Sequence, residues 1–272
     1  MKFFENLLAV LEAEMTEPTN YGWFHLMFVA IVIAATVFLC WKFRDCSDRT
    51  FRGISLGLWL LIVVLEIYKQ FVYTLEFTDG AFVWDYQWYA FPYQLCSTPL
   101  YALPFVAFLP NGKIHDAFIF YMSFFSLFGG IAVFFYPNDV FISTIGINVQ
   151  TMIHHGLQIV LGIFFTVHER KKLSIFAYLR SAVVFAGFLA IAIIANIVVY
   201  HIFAANGIDE TFNMFYISPY FECTLPVLSS IYPNVPFIVF ILIYSLGFLL
   251  VAFLLYLIQY GICALARRSR RA

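Results

Sequence analysis

Charge is what this sequence has least of. Asp, Glu, Lys and Arg make up 11% of its 272 residues, against about 25% in an average soluble domain, so an ordinary soluble domain is excluded and a polytopic membrane protein is expected. Cysteine is sparse as well. Cys40, Cys46, Cys96, Cys223 and Cys263 are odd in number and scattered, with no CxxC pair, so neither a disulfide framework nor a zinc site is read. There is no Walker loop, no Rossmann glycine pattern and no HExxH, and neither cofactor nor metal nor nucleic-acid partner is expected. The last apolar run has no Lys, which excludes a Schiff-base retinal site there. The opening MKFFENLLAVLEAEMTEP carries acids through its apolar run and lacks a small-residue cleavage site, so it is not read as a signal peptide. Phe4, Leu7, Leu8 and Leu11 recur at helical spacing instead and predict a short interfacial helix.

What is present is apolar and aromatic: 63% hydrophobic residues, with 34 Phe and 17 Tyr suited to lipid-facing surfaces and interfacial belts. A run of about 20 apolar residues spans a bilayer as a helix. Such runs occupy 22–41, 53–75, 91–109, 115–136, 147–167, 175–204 and 235–262, which predicts an all-α bundle of about seven transmembrane helices. Pro92, Pro99 and Pro104 make the third the least regular. With no repeat or linker, the chain divides into an interfacial segment (1–21), one transmembrane domain (22–262) and a basic tail (263–272).

Lys and Arg accumulate in cytoplasmic loops. Thirteen of the 15 Lys and Arg lie on one side, between helices 1 and 2, 3 and 4, or 5 and 6, with Arg180 just inside helix 6, or at the C-terminus; the exceptions are Lys2 and Lys69. Seven crossings with the N-terminus outside and the C-terminus in the cytoplasm account for this pattern. The polar residues inside the apolar runs then share one depth in the outer half: Glu66, Lys69 and Gln70 on helix 2, Tyr93, Gln94 and Cys96 on helix 3, Gln150, Thr151, His154 and His155 on helix 5, and Asn196 on helix 6. The outer loop 205–234, with Asn213 and Glu222, either folds over this level or is a solvated connection.

An ionisable group within a membrane marks a functional site by default. Glu66 and Lys69, three residues apart, sit on one helical face and form an ion pair that lines a pocket, anchors a headgroup or simply satisfies itself. His154 and His155 point about 100° apart on a helix, so they serve different neighbours. A base, a substrate contact and a satisfied core residue are all open to them. Cys96 and a histidine at matching depth allow a thiol with an imidazole base, and a cysteine packed as a small hydrophobe is the alternative.

FPYQLC, then TMIHHGLQIVLGIFF, then FNMFYISPY ahead of a proline-rich stretch resemble the YwaF-type bacterial integral membrane proteins in order and spacing. The resemblance implies a bacterial cytoplasmic membrane. It also implies kinship with animal membrane acyltransferases that load acyl groups onto ether phospholipids through a Cys and a His. Carried over, His155, followed by Gly156, matches the family histidine, and Glu66 the acidic position of helix 2. Tyr93 stands where the family's cysteine does, and Cys96 lies three residues on, one turn along the same face if the segment is helical. Two readings follow. In the first, Cys96 and His155 are catalytic in a lipid acyltransferase or hydrolase; Glu66, Lys69, Tyr93 and His154 line the substrate pocket, and Gln94 or Asn213 donates to the oxyanion. In the second, the same cluster belongs to a non-enzymatic protein that binds a lipid or small molecule, or to a transporter subunit. The partners in either case are membrane lipids, with a phospholipid or acyl chain as substrate in the first.

Overall fold

The computed structural model describes residues 2–78, 81–137 and 140–269; Arg270 and Arg271 of the basic tail lie outside the described residues. The chain is an all-α polytopic bundle. Helix α1 (Lys2–Leu11) precedes α2 (Trp23–Phe43) and α3 (Asp48–Val72), and a short hairpin of β1 (Leu75–Thr78) and β2 (Ala81–Trp84) follows. Then come α4 (Pro99–Phe108), α5 (Lys113–Tyr121), a π-helical turn (Met122–Ser126) and α6 (Leu127–Phe135). The long α7 (Ile145–His168) and α8 (Ile175–Asn206), the single turn α9 (Leu228–Ile231) and α10 (Phe237–Ser269) complete it. Among the described residues six helices are long and apolar enough to cross a membrane, with α5, the π turn and α6 counting as one.

The third apolar run passes through the bundle in another form. Segment 91–109 is helical only from Pro99 to Phe108, preceded by extended backbone and a 3-10 turn at Leu95–Ser97. Its neighbours on α3 trace its passage: Gln70 donates to Ala90 O (3.0 Å), Trp59 to Leu100 O (2.9 Å) and Arg52 to Leu109 O (2.6 Å). From residue 70 to residue 52 is about 27 Å along a helix, close to the hydrocarbon thickness of about 30 Å. The segment thus runs the full depth of the bundle. The continuous helix expected over 91–109 is corrected, because Pro92 and Pro99 lack the N–H that would extend it upward. Irregular backbone at membrane depth is tolerated only when protein encloses it, and α3, α6 and α7 do so here.

The basic loops meet at one end. Arg52 fans over the last carbonyls of α4 (Val106, Ala107, Leu109) and reaches Asn111, which donates to Asp48. Arg170 pairs with Asp45, and Lys172 with Asp116 and Glu169. At the opposite end Met15 N donates to Ser143 O (2.7 Å) and Tyr68 to Leu11 O (2.6 Å), tying the N-terminal segment to the bundle.

Small residues bring α6 and α7 close, as expected where helices pack in lipid without a hydrophobic drive. A Cβ on Gly130 would stand 2.6 Å from His155 O, and one on Gly162 2.7 Å from Leu127 Cβ. The π turn exposes a carbonyl at Ser123, which accepts from Gln259 of α10 (3.0 Å); Gln259 in turn accepts from Thr166 of α7 (2.5 Å).

Candidate functional site

The site forms where the broken crossing passes α7. Proline at 92 and 99 keeps residues 91–98 out of an α-helix, and the Cys96 carbonyl is left without a helical partner. Two side chains one turn apart on α7 satisfy it: His154 donates through Nε2 (2.7 Å) and Gln158 through Nε2 (3.0 Å). A carbonyl only accepts, so His154 carries its proton on Nε2. Its Nδ1 and Gln158 Oε1 are then buried acceptors with no hydrogen-bond partner among the described residues.

His155 faces another way, as its position next to His154 requires. Its Nδ1 donates to the Thr151 carbonyl (2.8 Å), one turn back on the same helix, which fixes the proton on Nδ1 and leaves Nε2 as the basic nitrogen. Thr151 and Gly156 flank it, and Val32 lies against Gly156 where any side chain would collide.

From α3 come Glu66 and Lys69, paired at 2.8 Å and largely buried. Gln70 donates to the same Glu66 oxygen (2.7 Å) and accepts from Tyr86 (2.8 Å). The Lys69 charge is close enough to act on Cys96, His154 and His155 together. Glu66 also lines an apolar groove of about 350 Å³, walled by Val63, Ile67, Phe71, Trp84 and Leu100, between α3, the hairpin and α4.

The middle of the outer loop, residues 212–218, is folded into the bundle, while most of its remaining residues face outward. Gln94 Nε2 donates to Asn213 O (3.0 Å) and Gln94 Oε1 accepts from Phe215 N (2.7 Å). Asn196 makes the same reciprocal pair with Met214, at 2.7 and 2.9 Å. Asn213 accepts from Ser218 N and donates to Glu222 O. Tyr93 donates to Phe188 O (3.3 Å) and packs on Phe215 and Tyr101. The structure therefore gathers Glu66, Lys69, Cys96, His154 and His155 at one level, while Gln94, Tyr93 and Asn213 hold the loop above it. Because 91–94 is extended, Tyr93 and Cys96 do not share a helical face as the sequence suggests. Tyr93 turns to α8, and the Cys96 carbonyl turns to α7.

A family model described as the TMEM164 family matches residues 20–257. The chain belongs to the TMEM164 family. The match takes in every residue of the site and the groove beside it, and the family is one of membrane proteins. No curated protein and no solved structure matches this TMEM164-family chain. Sequence reasoning missed Gln158 as a partner of Cys96 and Asn196 as a loop clamp. The signal was there in both cases, as an amide side chain inside an apolar helix, where each unpaired polar group is costly.

Proposed function

We propose that this chain is an intramembrane thiol-dependent acyltransferase or hydrolase acting on a bilayer lipid, with Cys96 as nucleophile and His155 as base. An acyl chain reaches the site through the groove beside Glu66. His155 Nε2 takes the thiol proton while the sulfur attacks the ester carbonyl; the C–O bond breaks, and the proton passes to the departing alkoxide. The thioester left on Cys96 is then cleaved by a hydroxyl or by water, which gives up its proton to the same nitrogen. Lys69 stabilises the developing oxyanion, a role for which Gln94 is less suited because both ends of its amide hold the loop backbone. One observation carries the reading: Thr151 holds the imidazole of His155 in the tautomer whose Nε2 can take a proton, on the same helix whose His154 and Gln158 bind the Cys96 carbonyl. The resemblance to YwaF-type proteins and to animal ether-phospholipid acyltransferases supports it and suggests a bacterial cytoplasmic membrane.

A non-enzymatic lipid or small-molecule binder, or a transporter subunit, is the second reading. It draws on one fact: among the described residues no hydrogen bond joins the Cys96 thiol to an imidazole, and His154 is committed to the backbone. An activity-based thiol probe separates the two. Purified protein should label at Cys96, located by peptide mass spectrometry, and labelling should fall at least tenfold in His155→Ala. Labelling that is absent, or indifferent to the substitution, leaves the binder.

A further inference from the structure

The loop above the site holds a second cavity, of about 310 Å³, whose lining includes Tyr89, Gln94, Asn213, Tyr216, Phe221 and Glu222. Its composition is particular. Three aromatic rings and one carboxylate line it, and neither flanking segment brings a cation: residues 73–94 and 205–234 contain no Lys or Arg, while Glu76, Asp85, Asp209, Glu210 and Glu222 are all present. An anion would meet only repulsion there. A metal ion would need several convergent oxygens, but the Asn213 and Gln94 amides are spent on the loop backbone. A large, weakly hydrated cation fits both the rings and the carboxylate.

The backbone is built to hold this wall in place. Phe215 and Tyr216 both adopt left-handed φ (58° and 56°), two successive non-glycine residues in a region costly for side chains. Such strain persists only where the surroundings over-determine it. Here the Gln94 and Asn196 amides clamp Met214 and Phe215 from below, and Asn213 closes the loop on Ser218 and Glu222. A connection that served only to join α8 to α10 would not require two strained residues, one of them, Tyr216, in the cavity wall and the other, Phe215, buried behind it.

We infer that this cavity binds a quaternary ammonium group of the choline type, held over the rings of Tyr89, Tyr216 and Phe221 and neutralised by Glu222. Free choline and the headgroup of a phosphatidylcholine present the same cation to it. The site lies outside the groove and does not depend on Cys96 being a nucleophile, so Cys96→Ala should bind as the unsubstituted protein does.

The test is isothermal titration of the purified full chain with choline chloride and with dimethylbutanol, the neutral carbon isostere of choline. Choline should bind and dimethylbutanol should not. Tyr89→Leu and Glu222→Gln, both on exposed side chains and so harmless to folding, should each weaken choline about tenfold; Tyr216→Leu should do the same in protein whose melting temperature is retained. Equal affinity for the isostere, indifference to the Tyr89 and Glu222 variants, or no binding of choline would overturn the inference. Nanodiscs identify the source: displacement of choline by phosphatidylcholine discs points to the lipid headgroup, and its retention points to free choline. Displacement by phosphatidylglycerol discs, which carry no ammonium, would also overturn it.

Discussion

The indole N–H of Trp59 donates to the carbonyl of Leu100 across 2.9 Å. That carbonyl is the one Pro104 cannot serve, since a helix would bond it to the N–H four residues on and proline has none. Trp59 of α3 thus replaces the missing bond and lets a proline sit inside α4 at membrane depth. Trp59→Phe should cost about 1–3 kcal/mol of unfolding free energy, because a buried carbonyl loses its partner. The same change made in a Pro104→Ala background should cost clearly less, since alanine restores the helical donor. Equal costs in the two backgrounds, measured by denaturation in micelles, would show that the indole acts through packing alone.

The Cys96 carbonyl has two donors, and their removal should not be additive. With His154→Ala the carbonyl keeps Gln158, and with Gln158→Leu it keeps His154, so each change should cost about 1–2 kcal/mol. Removing both leaves the carbonyl buried and unpaired, and the double variant should lose about 1 kcal/mol more than the sum. A thermodynamic cycle of the four proteins measures the difference, and strict additivity would mean that each residue acts on something other than this oxygen.

Much of this was legible in the residues. The all-α polytopic bundle, six of its long apolar helices, the collection of Lys and Arg at one end and the common level of Glu66, Lys69, Cys96, His154 and His155 follow from hydropathy and charge, which act independently of tertiary detail. The 3-10 turn at Leu95–Ser97 was not, although Pro92 and Pro99 signalled a break; where such a segment resumes its helix depends on what receives its carbonyls, here Trp59, His154 and Gln158. The π turn at Met122–Ser126 left no local mark, because its bonding is completed by Gln259, more than 130 residues away. The orientation of Tyr93 toward α8 was hidden for the same reason: a period of 3.6 applies only where the chain is helical.

Glycines on the two sides of α7 and on the lipid face should respond oppositely to alanine. At Gly130 an added Cβ would meet His155 O at 2.6 Å and Gln158 Cβ at 3.0 Å, forcing α6 from α7. Gly130→Ala should cost about 1–3 kcal/mol and should also reduce thiol-probe labelling of Cys96, since it displaces the backbone that carries His155. Gly187 of α8 meets nothing within 4 Å, and Gly187→Ala should be neutral or stabilise by up to about 1 kcal/mol through helix propensity. Melting temperatures of the two variants suffice; a loss at Gly187 equal to that at Gly130 would contradict the packing described.

At the basic end Glu169 closes α7 onto the next loop, and it should make stability depend on acid. Burial pushes its carboxyl up, but hydrogen bonds from His168 (3.1 Å) and Lys172 (3.0 Å) outweigh it and hold the group down at about 2, from an ordinary 4.5. The folded state therefore keeps the carboxylate charged at a pH where the unfolded chain has taken up a proton. The stability this supplies is complete above about pH 5 and drains away as pH falls from 4.5 toward 2. Lys172 is 42% exposed, so solvent screens its share, and the whole contribution should be on the order of 1–2 kcal/mol. Glu169→Gln should accordingly melt below the unsubstituted protein at neutral pH, and the gap should close as the pH is lowered to about 2. A gap that stays constant across that window would mean that the carboxylate contributes shape and not charge.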